Sequence, residues 1–356
     1  MNQHISAWLW GTVPAFSRKY RPVLLATLAV AAAWPAEALT INPVFDSSIT
    51  SLGVDAATTV ENAFDTVARD YASVFANNNV TINIGVSWGS VDGYALPSNA
   101  VGASVDPLYG YFSYSAIKSY LSASARSNPG DTALQTAVAN LPRSAPSGVS
   151  KYVIPAAEMK ALGLVNGNST SIDGYIGFAG SPTGYTFTGA NGQIAPGTFD
   201  FQAVAAHEIA EVLGRISGLQ SSGSTYRTVL DLFRYGSKGN LSFSYNAAAY
   251  LSINGGRTDL GNYNNSPSGG DRSDWLTLAS SSDVQDAFVS TGENLNLSAA
   301  DLTALDILGY GGSNLGDTFT SPGQVAFSLV EDVPEPASLS LLASALLAIG
   351  FARRRS

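Results

Sequence analysis

The sequence predicts a mixed α+β fold with a twisted sheet and several separate helices. Between residues 56 and 75, apolar side chains recur at steps of three and four, which is the period of an amphipathic helix. Residues 80–88 follow directly and alternate apolar with small or polar side chains, as a half-buried strand does. A longer helical pattern covers 201–216, with Asp200 as its predicted N-cap. This mixture of helices and strands is typical of an α+β domain.

The remaining elements follow from the same patterns. One or two helices are expected over 108–141, interrupted at Asn128-Pro129-Gly130, followed by a short helix at 155–164 and a strand at 172–178. A last helix is expected at 298–308, where Ser298 and Asp301 form an acidic capping box. Neither a repeat nor an interdomain linker is evident. We therefore predict one domain over 39–315 and a stalk over 316–333.

The first 38 residues have the three parts of a secretory signal peptide. A basic patch (Arg18, Lys19, Arg21) precedes an apolar run from Val23 to Trp34, and Ala36-Glu37-Ala38 supplies a cleavage site. The apolar run is about a dozen residues, short of the roughly 20 that a spanning helix needs. A cleaved signal over 1–38 is therefore preferred to a permanent N-terminal anchor.

The last residues have the reverse arrangement, with Pro334-Glu335-Pro336, an apolar run from Ala337 to Ala352 and then three arginines. This order closely resembles the PEP-CTERM sorting tail of Gram-negative bacteria. The resemblance implies a tail over 334–356 that holds the chain in the membrane until an exosortase cuts it. It also implies an exported protein of the envelope, cell surface or extracellular matrix. A permanent C-terminal anchor of the same orientation is the alternative.

Composition excludes several kinds of chemistry. The 356 residues contain no cysteine, so disulfides, thiolate catalysis and cysteine-ligated zinc are ruled out. The formal net charge is −9. Without the two predicted tags, which hold six basic and two acidic residues, the body carries about −13. This charge argues against nucleic-acid binding, which relies on a basic surface.

The predicted helix at 201–216 carries residues that suit metal chemistry. His207 and Glu211 are four positions apart, so their side chains project from one helix face about one turn apart. Imidazole nitrogen and carboxylate oxygen are both common zinc ligands. Glu208 lies between them, where a general base can take a proton from the attacking water. The ordinary alternative is an amphipathic helix whose polar residues have only structural roles.

The segment from His207 to Arg215 resembles the active-site helix of zincin metallopeptidases, in particular the metzincins, whose motif is His-Glu-x-x-His-x-x-Gly-x-x-His. Ser298 to Tyr310 is also similar to the closing helix of matrixin-like metzincin domains. Together with its tail, the chain resembles PEP-CTERM-sorted bacterial metalloproteases with a variant His-Glu-x-x-Glu motif. The resemblance implies a zincin-like catalytic domain that uses zinc to hydrolyse protein or peptide substrates.

The chain departs from the metzincin pattern in its ligands. Glu211 stands in place of the second histidine and Ser217 in place of the third. Both methionines, Met1 and Met159, precede the helix, so no Met-turn can follow it. His4 lies in the predicted signal, which leaves His207 as the only histidine of the predicted body. A third ligand must therefore be a carboxylate.

Asp231 is the predicted third ligand. It follows Glu211 by 20 residues, close to the interval at which thermolysin-like gluzincins place their acidic ligand. The surrounding run Val229-Leu230-Asp231-Leu232-Phe233 is apolar, where a lone carboxylate is costly unless it is paired or coordinated. A salt bridge to Arg234 or Arg215 would satisfy it equally well, so both readings remain open.

A second cation is suggested by the polar stretch from Asn254 to Asp274, which is rich in glycine and in oxygen ligands. Calcium prefers oxygen-rich loops of this kind, although the EF-hand order is missing and a solvated polar loop is the alternative. The sequence thus predicts a secreted or surface-attached zinc peptidase in which His207, Glu211 and Asp231 bind the ion and Glu208 is catalytic. The other hypothesis is a non-catalytic envelope or matrix protein, either a pseudoenzyme or an adhesive component.

Overall fold

The computed structural model of the protein describes residues 39–75, 78–97, 99–187, 193–219, 224–279 and 281–311, together with the backbone strand at 324–325. These residues belong to one compact unit of the chain. The predicted signal peptide and the predicted sorting tail lie outside the described residues. None of the described helices is long and apolar enough to cross a membrane.

The described helices and strands confirm a mixed α+β fold with several small sheets. The α-helices are α1 Ser47–Thr50, α2 Val54–Val74, α3 Tyr114–Ser127, α4 Thr132–Asn140, α5 Ala156–Ala161, α6 Phe201–Val212 and α7 Ala299–Leu305. The strands of the first part are β1 Thr40–Phe45, β2 Thr81–Trp88, β3 Ser90–Val91, β4 Tyr94–Ala95, β5 Gly102–Val105, β6 Leu108–Phe112, β7 Tyr152–Pro155 and β8 Gly174–Phe178. Those of the second part are β9 Tyr185–Thr186, β10 Phe199–Asp200, β11 Arg234–Ser237, β12 Asn240–Leu241, β13 Tyr250–Leu251, β14 Gly261–Asn262, β15 Leu297–Ser298 and β16 Gln324–Val325.

The main sheet has four strands in the order β1-β2-β8-β5. β1, β2 and β8 are parallel, and β5 closes the sheet as an antiparallel edge strand. Parallel strands need helical crossovers, and α1 with α2 supplies the connection from β1 to β2. Parallel strands are usually covered on both faces, which explains why β2 and β8 are almost entirely buried.

Helices α2 and α6 pack against the main sheet and against each other. α2 buries the face that carries Val60, Phe64, Val67 and Tyr71. The Tyr71 hydroxyl donates a hydrogen bond of 2.8 Å to the carbonyl of Ala206 on α6. This contact joins α2 to α6, the helix that carries His207.

An aromatic cluster fixes the N-terminal end of α6 on the sheet. The rings of Phe178 and Phe201 lie 4.6 Å apart between centroids, and Trp88 stacks on Phe201 at 6.3 Å with an interplanar angle of 12°. Burial of one such ring contributes about 1.5–3 kcal/mol. The start of α6 is therefore held firmly over β8.

Two sequence-based boundaries were wrong. The pattern over 108–141 predicted only helix, but Leu108–Phe112 forms β6, which pairs antiparallel with β7. Its aromatic side chains favour a strand, and α3 begins only after the N-cap Ser113. The second boundary is the end of α6, at Val212 instead of 216. Gly214 has a φ of 109°, a left-handed value that ends the helix and that only glycine adopts without strain.

The last predicted helix is confirmed. Ser298 caps α7, and its hydroxyl and the carboxylate of Asp301 form the capping box in both directions. A π-helical turn, Asp306–Tyr310, extends the helix. Within the predicted stalk, β16 pairs antiparallel with β15.

Candidate metal centre

Helix α6 carries three of the site residues predicted from the sequence, His207, Glu208 and Glu211. Asp200 caps the helix by accepting hydrogen bonds from the amides of Gln202 and Ala203, which fixes its start. The helix is buried on nearly all sides, so its polar side chains lie inside the protein. His207 is partly exposed, with 19% of its side chain accessible, as is Gln202 in the first turn.

His207, Glu211 and Asp274 form a cluster with the composition of a metal site. One potential ligand atom from each lies within 4.8 Å of the others. The His207 Nε2 atom is 3.7 Å from Glu211 Oε1 and 3.8 Å from Asp274 Oδ1. Glu211 comes from the next turn of α6, and Asp274 comes from an irregular loop after β14.

The second ring nitrogen of His207 orients the imidazole. His207 Nδ1 lies 2.8 Å from the carbonyl oxygen of Val284, which can only accept a hydrogen bond. Nδ1 therefore carries a proton, and in the neutral ring the lone pair of Nε2 faces the two carboxylates. A backbone carbonyl in this position is a common support for a metal-binding histidine.

The geometry of the cluster fits a small divalent ion. Zinc bonds to nitrogen and oxygen of about 2.0–2.2 Å place tetrahedral ligands roughly 3.4 Å apart, a little less than the two measured distances. Asp274 Oδ1 is buried and accepts no hydrogen bond from the described residues. The Arg215 guanidinium lies 3.8 Å from this oxygen, beyond hydrogen-bonding distance, so the lone pairs of Oδ1 can still coordinate a metal ion. These residues can therefore hold a metal through one imidazole and two carboxylates.

Glu208 lies next to this cluster and against the edge strand. A Cβ atom added to Gly102 of β5 would lie 2.6 Å from Glu208 Oε1 and 2.7 Å from Val204 Cγ1, so a larger residue there would force these side chains to move. Glu208 Oε2 is buried and has no hydrogen-bond partner in the described residues. Burial is the main cause that raises the pKa of Glu208 to about 7. A carboxyl group with this pKa can exchange a proton near neutral pH.

The charges around the centre are predominantly negative. Burial, followed by the neighbouring carboxylate of Glu208, holds the pKa of Glu211 well above its usual range. Burial also raises the pKa of Asp274. Burial alone would lower the pKa of His207, but Asp274, Glu208 and the hydrogen bond to Val284 outweigh it, and the pKa is raised. The cluster therefore retains protons that a bound cation would displace.

Arg215 supports the centre from the protein interior. Its side chain is fully buried and stacks on Trp275, with the guanidinium carbon 4.4 Å from the ring centroid. One nitrogen donates a 2.7 Å hydrogen bond to Gln285 and lies 3.8 Å from Asp274 Oδ1, while another is 3.5 Å from Asp301. Arg215 therefore links the ligand loop to the capping box of α7.

A cavity of about 540 Å³ opens over the centre. His207, Glu208, Glu211 and Asp274 all line it. Its apolar walls come from the edge of the main sheet, from α6 and from the loop before α7, and include Val101, Ala203, Val284 and Leu295. Such a cavity can admit part of an extended chain or a small molecule.

The structure does not bring Asp231 into the cluster. Asp231 Oδ2 accepts hydrogen bonds from the backbone amides of Gly218 and Thr228, each 2.9 Å long. Its Oδ1 accepts a 2.6 Å hydrogen bond from the Ser217 hydroxyl. Neither Arg215 nor Arg234 pairs with it within the described residues. Asp231 thus joins two loop segments. This role differs from both alternatives that the sequence left open, a metal ligand and a salt bridge to arginine.

Asp274 belongs to the polar stretch that predicted a calcium loop. The sequence therefore marked it as an oxygen ligand but gave no reason to join it to His207. At the other end of the stretch, Asn254 Oδ1 accepts hydrogen bonds from the amides of Arg257 and Thr258, which is ordinary turn bonding.

Comparison with known proteins identifies the tail. The PEP-CTERM protein-sorting motif matches residues 332–356. No curated protein and no solved structure matches the chain. The protein is thus an exported cell-surface protein of the kind found in Gram-negative bacteria, and its tail implies processing by an exosortase.

Proposed function

We propose that this exported protein is a metal-dependent peptidase. His207, Glu211 and Asp274 would hold a zinc ion, with Asp274 in the role that the sequence gave to Asp231. A zinc ion bound there would polarise the carbonyl group of the substrate and make water more acidic. The observation that carries the proposal is the cluster of these three side chains, which lines one cavity together with Glu208.

Glu208 is the proposed general base. It lines the cavity next to the cluster, and its raised pKa allows it to accept a proton from the attacking water and pass it to the departing amine. Its position against Gly102 restricts its movement, because the strand backbone lies directly behind it.

The edge strand β5 supports a peptide as the substrate. β5 pairs with β8 on one side, and no described strand pairs with its other side. Val101, Gly102 and Ala103 line the cavity along this edge. An extended peptide can pair with such an edge through its backbone, which would place its amide groups near Glu208.

The test uses the mature protein, loaded with zinc, and a mixture of unstructured peptides. Glu208→Gln should still bind zinc, but its cleavage rate should fall by about 100-fold or more, because general-base catalysis typically contributes that much. Glu158→Gln is the matched control. Glu158 is also fully buried with a pKa raised by burial, but it does not line the cavity, so this variant should cleave at the parent rate if it folds.

Parent protein that binds zinc and cleaves no peptide, or Glu208→Gln as active as the parent, would refute the proposal. The second candidate, a structural metal site in a non-catalytic surface protein, predicts the first of these results. Two carboxylate ligands favour this candidate because they partly neutralise the ion and weaken its effect on water. Calcium or manganese bound more tightly than zinc would also support it.

A further inference from the structure

A groove of about 550 Å³ lies away from the metal centre, along α3 and the loop after α4. We call it the α3 groove and define it by Ser115, Lys118, Ser119, Ser122, Arg126 and Arg143. The first five share one face of α3, because they follow the helical period, while Ile117, Leu121 and Ala125 on a neighbouring face are buried. The polar stripe is therefore the outer face of a helix that is well anchored in the core.

The charge of the α3 groove is opposite to that of the whole protein. The chain has a formal net charge of −9, yet three basic side chains line the groove and no described Asp or Glu does. These three are among only seven basic residues of the described chain that are not buried. None of them takes part in an ion pair within the described residues. Their positive charge is available to an anionic partner.

The groove is lined with hydroxyl groups as well as cations. Ser113, Ser115, Ser119, Ser122 and Ser144 all contribute to it. Lys118 is held in place by a 2.8 Å hydrogen bond from its ammonium group to the carbonyl of Pro142. Serine hydroxyls both donate and accept hydrogen bonds, as the hydroxyl groups of a sugar do.

Two exposed aromatic residues precede the groove-lining segment in the chain, although they do not line the groove itself. Tyr109 and Tyr111 of β6 have 51% and 69% of their surface accessible, and Tyr111 is two residues from Ser113. The ammonium group of Lys151 lies 4.7 Å from the centroid of the Tyr111 ring, so this ring already contacts a cation. The negative face of an exposed tyrosine can stack on the C–H groups of a sugar ring.

We propose that the α3 groove binds an anionic polysaccharide, with its acidic groups on Lys118, Arg126 and Arg143 and its sugar rings on Tyr109 and Tyr111. Cations alone would suit an acidic peptide equally well. The exposed aromatic rings and the hydroxyl groups favour a sugar polymer. The proposal is independent of the metal centre, because no residue of the groove lines the cavity over His207.

The test measures binding of the mature protein to polygalacturonate, a polymer of uronic acid, at constant ionic strength. The double variant Arg126→Gln and Arg143→Gln should bind about tenfold more weakly than the parent, because two charged contacts are lost. The matched control replaces Arg69 and Lys238 by Gln. These side chains are also exposed and basic but lie outside the groove, so the control should bind like the parent.

Two further arms identify the type of ligand. The double variant Tyr109→Ala and Tyr111→Ala should weaken binding of polygalacturonate and leave any binding of polyglutamate unchanged. Neutral dextran should bind much more weakly than polygalacturonate. The proposal is overturned if polyglutamate binds as tightly as polygalacturonate, or if the arginine variant binds like its charge-matched control. All these side chains are exposed or partly exposed, so the variants should fold.

Discussion

The main sheet buries apolar side chains, whereas the loops beside the metal centre bury charged ones. Ile82, Ile84 and Phe178 on neighbouring strands are fully inaccessible. In the second half of the chain, Arg215, Arg234 and Arg272 are just as inaccessible. Each of these arginines stacks on an aromatic ring, at distances of 4.4, 4.7 and 3.9 Å from the centroid.

This difference shows how an irregular region can present ligands in a fixed position. Loops without a regular ladder satisfy few of their backbone groups with each other, and buried guanidinium groups can donate several hydrogen bonds at once. Arg234 and Arg272 both donate to loop carbonyls, of Arg272 and of Ser266 respectively. Arg215 donates to the side-chain oxygen of Gln285 and forms ion pairs with Asp274 and Asp301. The sheet therefore supplies an apolar core, and the buried arginines hold the loops through polar contacts.

The largest effect is expected at Arg215. Arg215→Met keeps most of the buried volume but leaves Asp301 and Asp274 without their cation, so we expect a loss of about 3–5 kcal/mol in the free energy of unfolding. Urea unfolding of the metal-free protein measures this loss. Arg69→Met is the control on α2, where the side chain is exposed, and should change stability by less than about 0.5 kcal/mol.

The corresponding change in the sheet sharpens the comparison. Ile84→Ala should also destabilise the protein, by about 2–5 kcal/mol, because it opens a cavity in the apolar core. It should leave zinc affinity unchanged, whereas Arg215→Met should weaken it because Asp274 loses its support. If both variants lose stability and bind zinc like the parent, Arg215 does not position the ligand loop.

The two regions also differ in how far the sequence could predict them. Helix α6 and strand β2 were predictable because their side-chain periods are short and regular. His207, Glu208 and Glu211 lie on the same helix, so spacing alone fixes their relative positions. The end of α6 was less predictable, because the left-handed backbone of Gly214 stops the helix at Val212, earlier than the hydrophobic pattern indicated.

Asp274 could not be connected to His207 by such reasoning. It lies in a loop without a period, and its position depends on Arg215, 59 residues earlier in the chain, which contacts the neighbouring Trp275 and Gln285. The role of Gly102 was hidden for a related reason, since β5 approaches Glu208 only because the sheet is ordered β1-β2-β8-β5. Asp231 was selected for its interval from Glu211, which does not determine where a loop places a carboxylate.

Two substitutions can distinguish the role of Asp231 from that of Asp274. Asp231→Asn should lower the free energy of unfolding by about 1–3 kcal/mol, because two loop amides and a hydroxyl lose their charged acceptor, and zinc affinity should stay unchanged. Asp274→Asn should weaken zinc binding by about 100-fold or more, since even changes beside metal ligands commonly cost about 10- to 100-fold. Calorimetric zinc titration measures both. If Asp231→Asn weakened zinc binding and Asp274→Asn did not, Asp231 would be the ligand.

The smallest expected effect is the pH dependence of zinc binding, which should be seen at the metal centre and not in the sheet. Burial raises the pKa values of Glu208, Glu211 and Asp274, and the folded metal-free centre therefore binds more protons than the unfolded chain above about pH 4. Its contribution to stability should fall as the pH rises, and the raised pKa of His207 acts in the same direction. Zinc must displace these protons, so its affinity should increase with pH, by about tenfold per unit for each proton released.

The rise in melting temperature on adding zinc reports this linkage. It should become larger between about pH 5 and pH 8 in the parent and should be nearly independent of pH in Asp274→Asn, where the site is incomplete. Ile84→Ala should keep the slope of the parent at a lower melting temperature, because its cavity lies in the apolar sheet. A zinc effect that is the same at both ends of this range in the parent would show that the buried carboxylates are not the groups that bind the ion.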